Sequence, residues 1–169
     1  MIKVEELTER SFEEFGTFFN PGDCGPALGD QLGPIKFYPD RIVQQFVPSN
    51  YIAISSLVIE PRPFEITLAE IHENTEEVFG GFAQDVYFFV GAPDRKEPSA
   101  RDLRAFRLPT GWWVRLKRHV WHHAPFVAGR EPAVGIVILP PWTYSNDCIV
   151  VQLDEPVTLS LGDYRRPTI

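Results

Sequence analysis

Short runs of apolar and aromatic residues recur along the chain from about Ile35, each closed by glycine, proline or a cluster of polar turn formers. "YIAISSLVIE", "FEITLAEIH", "DVYFFVGA", "WWVRLKRHVWHH", "AVGIVILP" and "CIVVQL" are short and rich in branched and aromatic side chains, and they predict strands. Sixteen prolines and twelve glycines reinforce the division, because each breaks a helical ladder or opens a turn. Two stretches read otherwise. "SFEEFGTFF" predicts a helix with Ser11 at its cap and Glu14 completing a capping box, its length limited by Gly16. "SARDLRAF" predicts one or two helical turns capped by Ser99. No repeat, low-complexity tract or long linker divides the chain, so residues 1–169 are expected to form one domain. About ten short strands with minor helix predict an all-β fold, either a closed barrel or a sandwich.

Composition narrows the classes of partner. With 169 residues, 44% hydrophobic and 23% charged, the chain is long and apolar enough for a real core. A net charge of -7 argues against a nucleic-acid or anionic-membrane partner, both of which need a basic surface. It leaves room for a small anionic substrate, since a few local cations dominate the field inside a cleft. Met1 to Phe19 alternates acids with apolar residues, unlike a signal peptide, and no apolar run reaches membrane-spanning length. A cytoplasmic location is therefore expected. Cys24 and Cys148 are far apart, match no metal-ligand spacing and read as free thiols.

The candidate chemistry lies in two places. Three of the four histidines, His119, His122 and His123, fall within five positions. Side chains alternate along a strand, so His122 and His123 are expected to face opposite ways, and at most one looks into a barrel. In "EIHENTEEVFGGF", Glu70 and His72 are two apart and share a face, and Glu77 follows a short turn. Glu70, His72, Glu77 and His122 can thus converge on a divalent cation, with zinc, manganese, iron and nickel all compatible with imidazole and carboxylate. Glu73 and Glu76 read as surface charges. Trp112, Trp113 and Trp121 read as core or interface aromatics, and Gly80 and Gly81 as a turn or bulge. Arg115, Lys117 and Arg118 are the cations nearest the histidines. They are either exposed strand charges or, if the chain turns near Arg118 and His119, groups at a pocket mouth.

His72, four intervening residues, Glu77 and "VFGG" resemble the first motif of the cupins, with Glu70 where a second histidine is usual. "HVWHH" resembles the second motif, with His119 at its glycine position and His122 at its metal-ligand position. Over nearly the whole chain the sequence is similar to the ureidoglycolate lyase family, through "LTERSFEEFG", "EIHENTEEVF", "DLRAF", "VWHHAPF" and "SNDC" in that order. The resemblance implies a cupin-like double-stranded β-helix barrel with one or two short peripheral helices. It also implies a homodimer that cleaves ureidoglycolate to glyoxylate and urea in allantoin degradation. Three departures stand near the expected pocket: Leu116 and Lys117 in place of a Tyr-His pair, Glu77 in place of Gln, and the reversed order within "SNDC". Cleavage needs a base for the hydroxyl proton and an acid for the leaving urea nitrogen. His72, His122, Glu77 and Lys117 are the candidates for that work, and Arg115, Arg118 and His119 for holding the substrate. A divalent metal ion is the expected cofactor, with no organic cofactor. Two alternatives stay open: another metal-dependent cupin enzyme acting on a small hydroxy or keto acid, and a non-catalytic cupin that binds a small anion.

Overall fold

The computed structural model describes residues 1–28, 34–47, 49–93 and 95–162. Along them run β1 (Ile2–Glu6), α1 (Glu9–Phe12), β2 (Gly16–Phe19), β3 (Ala53–Ile59), β4 (Glu65–Ile71), β5 (Glu77–Gly80) and β6 (Val86–Gly91). After these come β7 (Leu103–Leu108), β8 (Trp113–Leu116), β9 (Trp121–His122), β10 (Phe126–Val127), β11 (Ala133–Leu139), α2 (Thr143–Asn146) and β12 (Ile149–Ser160). The strands form a seven-stranded mixed sheet, ordered β10-β6-β7-β1-β12-β4-β9, and a five-stranded antiparallel sheet, ordered β2-β8-β5-β11-β3. Within the larger sheet, β1 runs parallel to both β7 and β12, and the two-residue β9 pairs with both β4 and β6. The architecture is mostly β, two facing sheets with no ladder joining them among the described residues.

Both helices expected near the start of elements are displaced by tertiary pairing. α1 is a single turn capped by Thr8, not Ser11: Ser11 N donates to Thr8 Oγ1 at 3.0 Å, and Thr8 N donates to Ser11 Oγ at 3.0 Å. The reciprocal box therefore lies three residues earlier than the sequence pattern suggests. "GTFF", read as the end of that helix, is strand β2, where Gly16 lies so close to β8 that a Cβ would stand 1.8 Å from the Arg115 carbonyl oxygen. "SARDLRAF" contributes only a turn, closed by Asp102 N donating to Ser99 O at 2.9 Å, before the chain enters β7. Pairing with β1 and β6 on either side outweighs the helical propensity of Ala100 to Arg104.

Burial explains the sequence of β6, whose "VYFFVG" is apolar without alternation and buried at every position. Val86, Phe88 and Val90 face the space between the sheets, while Tyr87 and Phe89 belong to a second cluster on the other face. The inter-sheet core is aromatic and packed edge to face. Phe12 meets Phe106 with centroids 5.3 Å apart and Phe88 at 5.8 Å, and Phe79 meets Phe88 at 5.5 Å. Phe12 thereby fastens α1 to both strands of the β6–β7 hairpin. Every buried member of the second cluster, from Val4 to Leu159, belongs to a strand of the larger sheet, so this sheet curls over its own face. No helix is long and apolar enough to cross a membrane among the described residues.

Candidate metal centre

Strand register decides which polar groups enter the inter-sheet space. Glu70 of β4, His122 of β9 and Val90 of β6 are register partners, so His122 faces the same side as Val90. Trp121, one residue earlier, pairs with Gly91 and packs into the second cluster. His72 follows Glu70 by two residues and ends buried, 4% exposed. From the facing sheet, β5 places Glu77 opposite Leu116, an inward core residue. The predicted continuous strand "WWVRLKRHVWHH" is broken into β8 and β9 by a turn in which His119 has φ 65. That left-handed conformation is one that histidine adopts more readily than most side chains. His119 N donates to His72 O at 2.9 Å, which ties this turn to the end of β4.

Three side chains meet. One ligand atom from each of His72, Glu77 and His122 lies within 4.8 Å of the others. His72 Nε2 is 3.2 Å from Glu77 Oε2, His122 Nε2 is 3.5 Å from the same oxygen, and the imidazole centroids are 5.1 Å apart. The opposite ring nitrogens are held by the backbone: His72 Nδ1 donates to Asp147 O at 2.6 Å and His122 Nδ1 donates to Val120 O at 2.8 Å. Carbonyl oxygens only accept, so each neutral ring carries its proton on Nδ1 and turns an Nε2 lone pair toward Glu77. His122 Nε2 is buried without a hydrogen-bond partner among the described residues. Lone pairs facing a carboxylate repel it, so a proton or a cation between them is required for this arrangement to be favourable.

The electrostatics agree. Burial alone would raise the Glu77 pKa, but the charge of His122, followed by the hydrogen bond and charge of His72, holds it down at about 2. Burial alone would lower that of His122, but the charge of Glu77, 3.5 Å away, pushes it up to about 9. The groups thus stabilise positive charge at their meeting point. Two imidazoles oriented by backbone carbonyls and one carboxylate fit a divalent cation, the second nitrogen of each ring supplying the orientation that metal-binding histidines usually receive. The three are buried together and could hold a divalent metal ion.

The remaining sequence candidates are placed elsewhere. Glu70 lies outside the trio, its Oε2 accepting from Cys148 Sγ at 3.2 Å. That carboxylate and burial together push the Cys148 thiol up to about 12, burial being the larger cause. Lys117 Nζ donates to Glu13 O at 2.6 Å. Arg115 lies on the outer face of its sheet, because Val114 and Leu116 face inward, and it donates to Glu76 at 3.2 Å. Glu76 is accordingly no surface charge, being 8% exposed. It also accepts from Gln45 N at 2.7 Å and so pins that segment across the sheet. Arg118 is half-buried and His119 exposed in the turn between β8 and β9. His123 is half-buried, and burial lowers its pKa among the charges of Glu70, Arg62, His122 and Glu77. Gly81 has φ +71, and a Cβ on Gly80 would stand 2.4 Å from the Trp112 carbonyl oxygen, which accounts for both glycines where β5 meets β8. Cys24 and Cys148 are free thiols. The resemblance placed "SNDC" near the expected pocket, but sequence reasoning gave Asp147 and Cys148 no role there, and the motif carried no periodicity that could have revealed one.

Among solved structures, Bacillus subtilis oxalate decarboxylase, described with Mn(II) centres, is 22% identical over 60% of this chain and 24% of its own, with a TM-score of 0.43. A mutant of the same enzyme matches at 22% identity, the same coverage and a TM-score of 0.42. This chain thus spans about a quarter of that protein's length. No curated protein matches. The model of the family described as ureidoglycolate lyase matches residues 1–160, nearly all of the sequence. That match shows that the chain, with its buried cluster of two histidines and a glutamate, belongs to the ureidoglycolate lyase family.

Proposed function

We propose that the protein cleaves ureidoglycolate to glyoxylate and urea, with a divalent cation held by His72, Glu77 and His122. The convergence of two Nε2 atoms on Glu77 Oε2, with both Nδ1 atoms tied to carbonyls, is the observation that carries this reading. A cation bound there supplies Lewis acidity that lowers the pKa of a substrate hydroxyl. The same cation would supply the positive charge that the substrate's carboxylate needs, since Arg115 and Lys117 are engaged with Glu76 and the Glu13 carbonyl. Glu70, on the same side of β4 as the register partner of His122, takes the hydroxyl proton. The carbon–oxygen double bond forms, the carbon–nitrogen bond breaks with its electrons leaving on the ureido nitrogen, and Glu70 returns the proton to that nitrogen. This places the enzyme in the degradation of allantoin, in the cytoplasm.

A second reading, a metal-dependent cupin enzyme acting on another small hydroxy or keto acid, is favoured by one observation. Leu116, the register partner of Glu77, is buried and apolar, so the position beside that carboxylate supplies no polar group to a substrate. We further infer a homodimer, in which the edge strand β3 and the outward Ile54, Val58 and Val134, 68%, 55% and 56% exposed, are covered by a second copy. Light scattering checks this, and a monomer at all practical concentrations counts against it.

The test of the reaction is glyoxylate release by purified protein, first stripped with a chelator and then loaded separately with zinc, manganese, nickel and iron(II). Release is expected in at least one loaded form, and none from His72→Ala or His122→Ala. Absence of glyoxylate in every form rejects the lyase reading, and turnover of a different hydroxy or keto acid then selects the second.

A further inference from the structure

We propose that Asp147 is a positioning residue that sets the tautomer and direction of the His72 imidazole, an inference that builds on the metal-centre reading above. Asp147 sits immediately after α2, a single helical turn with no side-chain cap at its start. A turn of this length has no stability of its own, so its place must come from bonds to the rest of the protein. Asp147 supplies them. Its carboxylate accepts from Glu73 N at 2.9 Å, from Asn74 N at 3.0 Å and from Asn74 Nδ2 at 3.0 Å, and so grips the turn that follows His72. Its own N donates to Thr143 O at 2.8 Å, which joins the grip to α2. The same residue's carbonyl oxygen then meets His72 Nδ1 at 2.6 Å.

The geometry makes one residue both the clamp and the orienting acceptor. Because the carboxylate binds residues 73 and 74 while the carbonyl binds residue 72, the β4–β5 turn cannot shift without carrying the acceptor with it. Cys148, the next residue, adds a contact to Glu70 on the other side of His72. Without the carboxylate, four of the bonds that seat Asp147 against the turn are lost, and its carbonyl is no longer held on Nδ1. The ring is then free to place its proton on Nε2, where it blocks the lone pair that faces Glu77.

Imidazole nitrogen NMR on the metal-free chain reads this directly, without requiring catalysis. In the wild type, His72 Nδ1 is expected to keep its proton on the Asp147 carbonyl, whether or not a second proton bridges Nε2 and Glu77. In Asp147→Ala that proton is expected to exchange between Nδ1 and Nε2, and affinity for cobalt(II) is expected to fall about 10- to 100-fold, the range found when an orienting partner of a metal ligand is removed. Asp147→Asn retains one acceptor oxygen and should lie between the two. Near-ultraviolet circular dichroism establishes that each variant is folded. If Asp147→Ala does not fold, the Asn variant decides by the same two measurements. A folded variant with the wild-type tautomer and wild-type cobalt affinity overturns the proposal. A wild type that orders His72 yet releases no glyoxylate rejects the reaction proposed above while leaving the role of Asp147 supported.

Discussion

Glu76 and Glu77 are neighbours in the chain, both largely buried, yet they belong to opposite sides of the same sheet. Outside, Glu76 meets the guanidinium of Arg115 at 3.2 Å and a backbone N–H of residue 45 at 2.7 Å. Inside, Glu77 meets two imidazoles whose other nitrogens are already committed to carbonyls. The two side chains are comparably buried, 10% and 12% exposed, but the compensation differs in kind. Arginine is a permanent cation, so the outer carboxylate has its counter-charge at any ordinary pH. Imidazole is a conditional one, so the inner arrangement needs a proton or a metal ion to become favourable. Adjacent residues of identical chemistry are thus a fastening on one face and a binding site on the other, and strand alternation alone assigns the roles.

The sharpest way to break this comparison is to remove the permanent cation. Arg115→Ala leaves Glu76 buried and uncompensated, with side-chain exposures of 19% and 10% for the original pair. The expected loss is about 3–5 kcal/mol of stability, read from the urea midpoint, because an unpaired buried charge keeps its desolvation cost. A stability unchanged within error would show that the outer pair is no fastening. The complementary change, Glu77→Gln, should act on binding instead. Removing a ligand carboxylate should weaken divalent-metal affinity on the order of 100-fold or more, above what loss of an orienting partner costs. Isothermal titration measures this, while the urea midpoint of the metal-free chain should move less than in Arg115→Ala. If the two variants exchange phenotypes, the assignment of fastening and site is reversed.

Much of this contrast is legible in the residues, and the reasons for the remainder are physical. The Glu-x-His spacing, the following glutamate and the paired histidines are local patterns, and they contain the three residues that meet at the metal site. Strand periodicity likewise announces most of the sheet, because burial of one or both faces leaves its mark on composition. Helix ends were less visible: Thr8 displaces Ser11 as cap, and β7 replaces a helical reading, because pairing partners distant in sequence outbid local preference. The burial of Glu76 depends on Arg115, 39 residues away, and the contact between Asp147 and His72 spans 75. No periodicity encodes such pairings. The outward direction of Arg115 was readable in principle, since Leu116 and Val114 are its apolar neighbours on both sides.

A third variant sharpens the inner half of the comparison. Cys148 Sγ donates to Glu70 Oε2 at 3.2 Å, so the thiol holds the carboxylate assigned to proton transfer. Cys148→Ala removes that donor and should lower kcat for glyoxylate release about tenfold, the equivalent of roughly 1.4 kcal/mol. KM and metal affinity should stay near the wild type, because no ligand of the trio is touched. Cys148→Ser restores a donor and should recover most of the rate. A serine variant as slow as the alanine one would mean that sulfur bulk, and not the hydrogen bond, matters at this position.

The smallest expected effect tests whether carboxylates completed by arginine behave alike across the fold. Asp85 meets Arg107 Nε at 2.7 Å, and Thr110 N donates to its other oxygen at 3.0 Å. Burial would raise the Asp85 pKa, but those donors and the positive charge outweigh it and leave the group below the ordinary carboxylate value. A depressed folded-state pKa contributes stability that is present above the unfolded-state value, about 3.9, and is lost as pH falls toward the folded one. Arg107 stays charged throughout that range, so the contribution has an acid limb and no basic limb. Asp85→Asn should therefore cost less than about 1 kcal/mol at neutral pH, as expected for a partly exposed pair. As pH falls below about 4 the wild type should lose its advantage over the variant, and the two thermal midpoints should converge. Midpoints that instead diverge with acid would mean that protonated Asp85 is the better partner for Arg107, against the geometry of the pair.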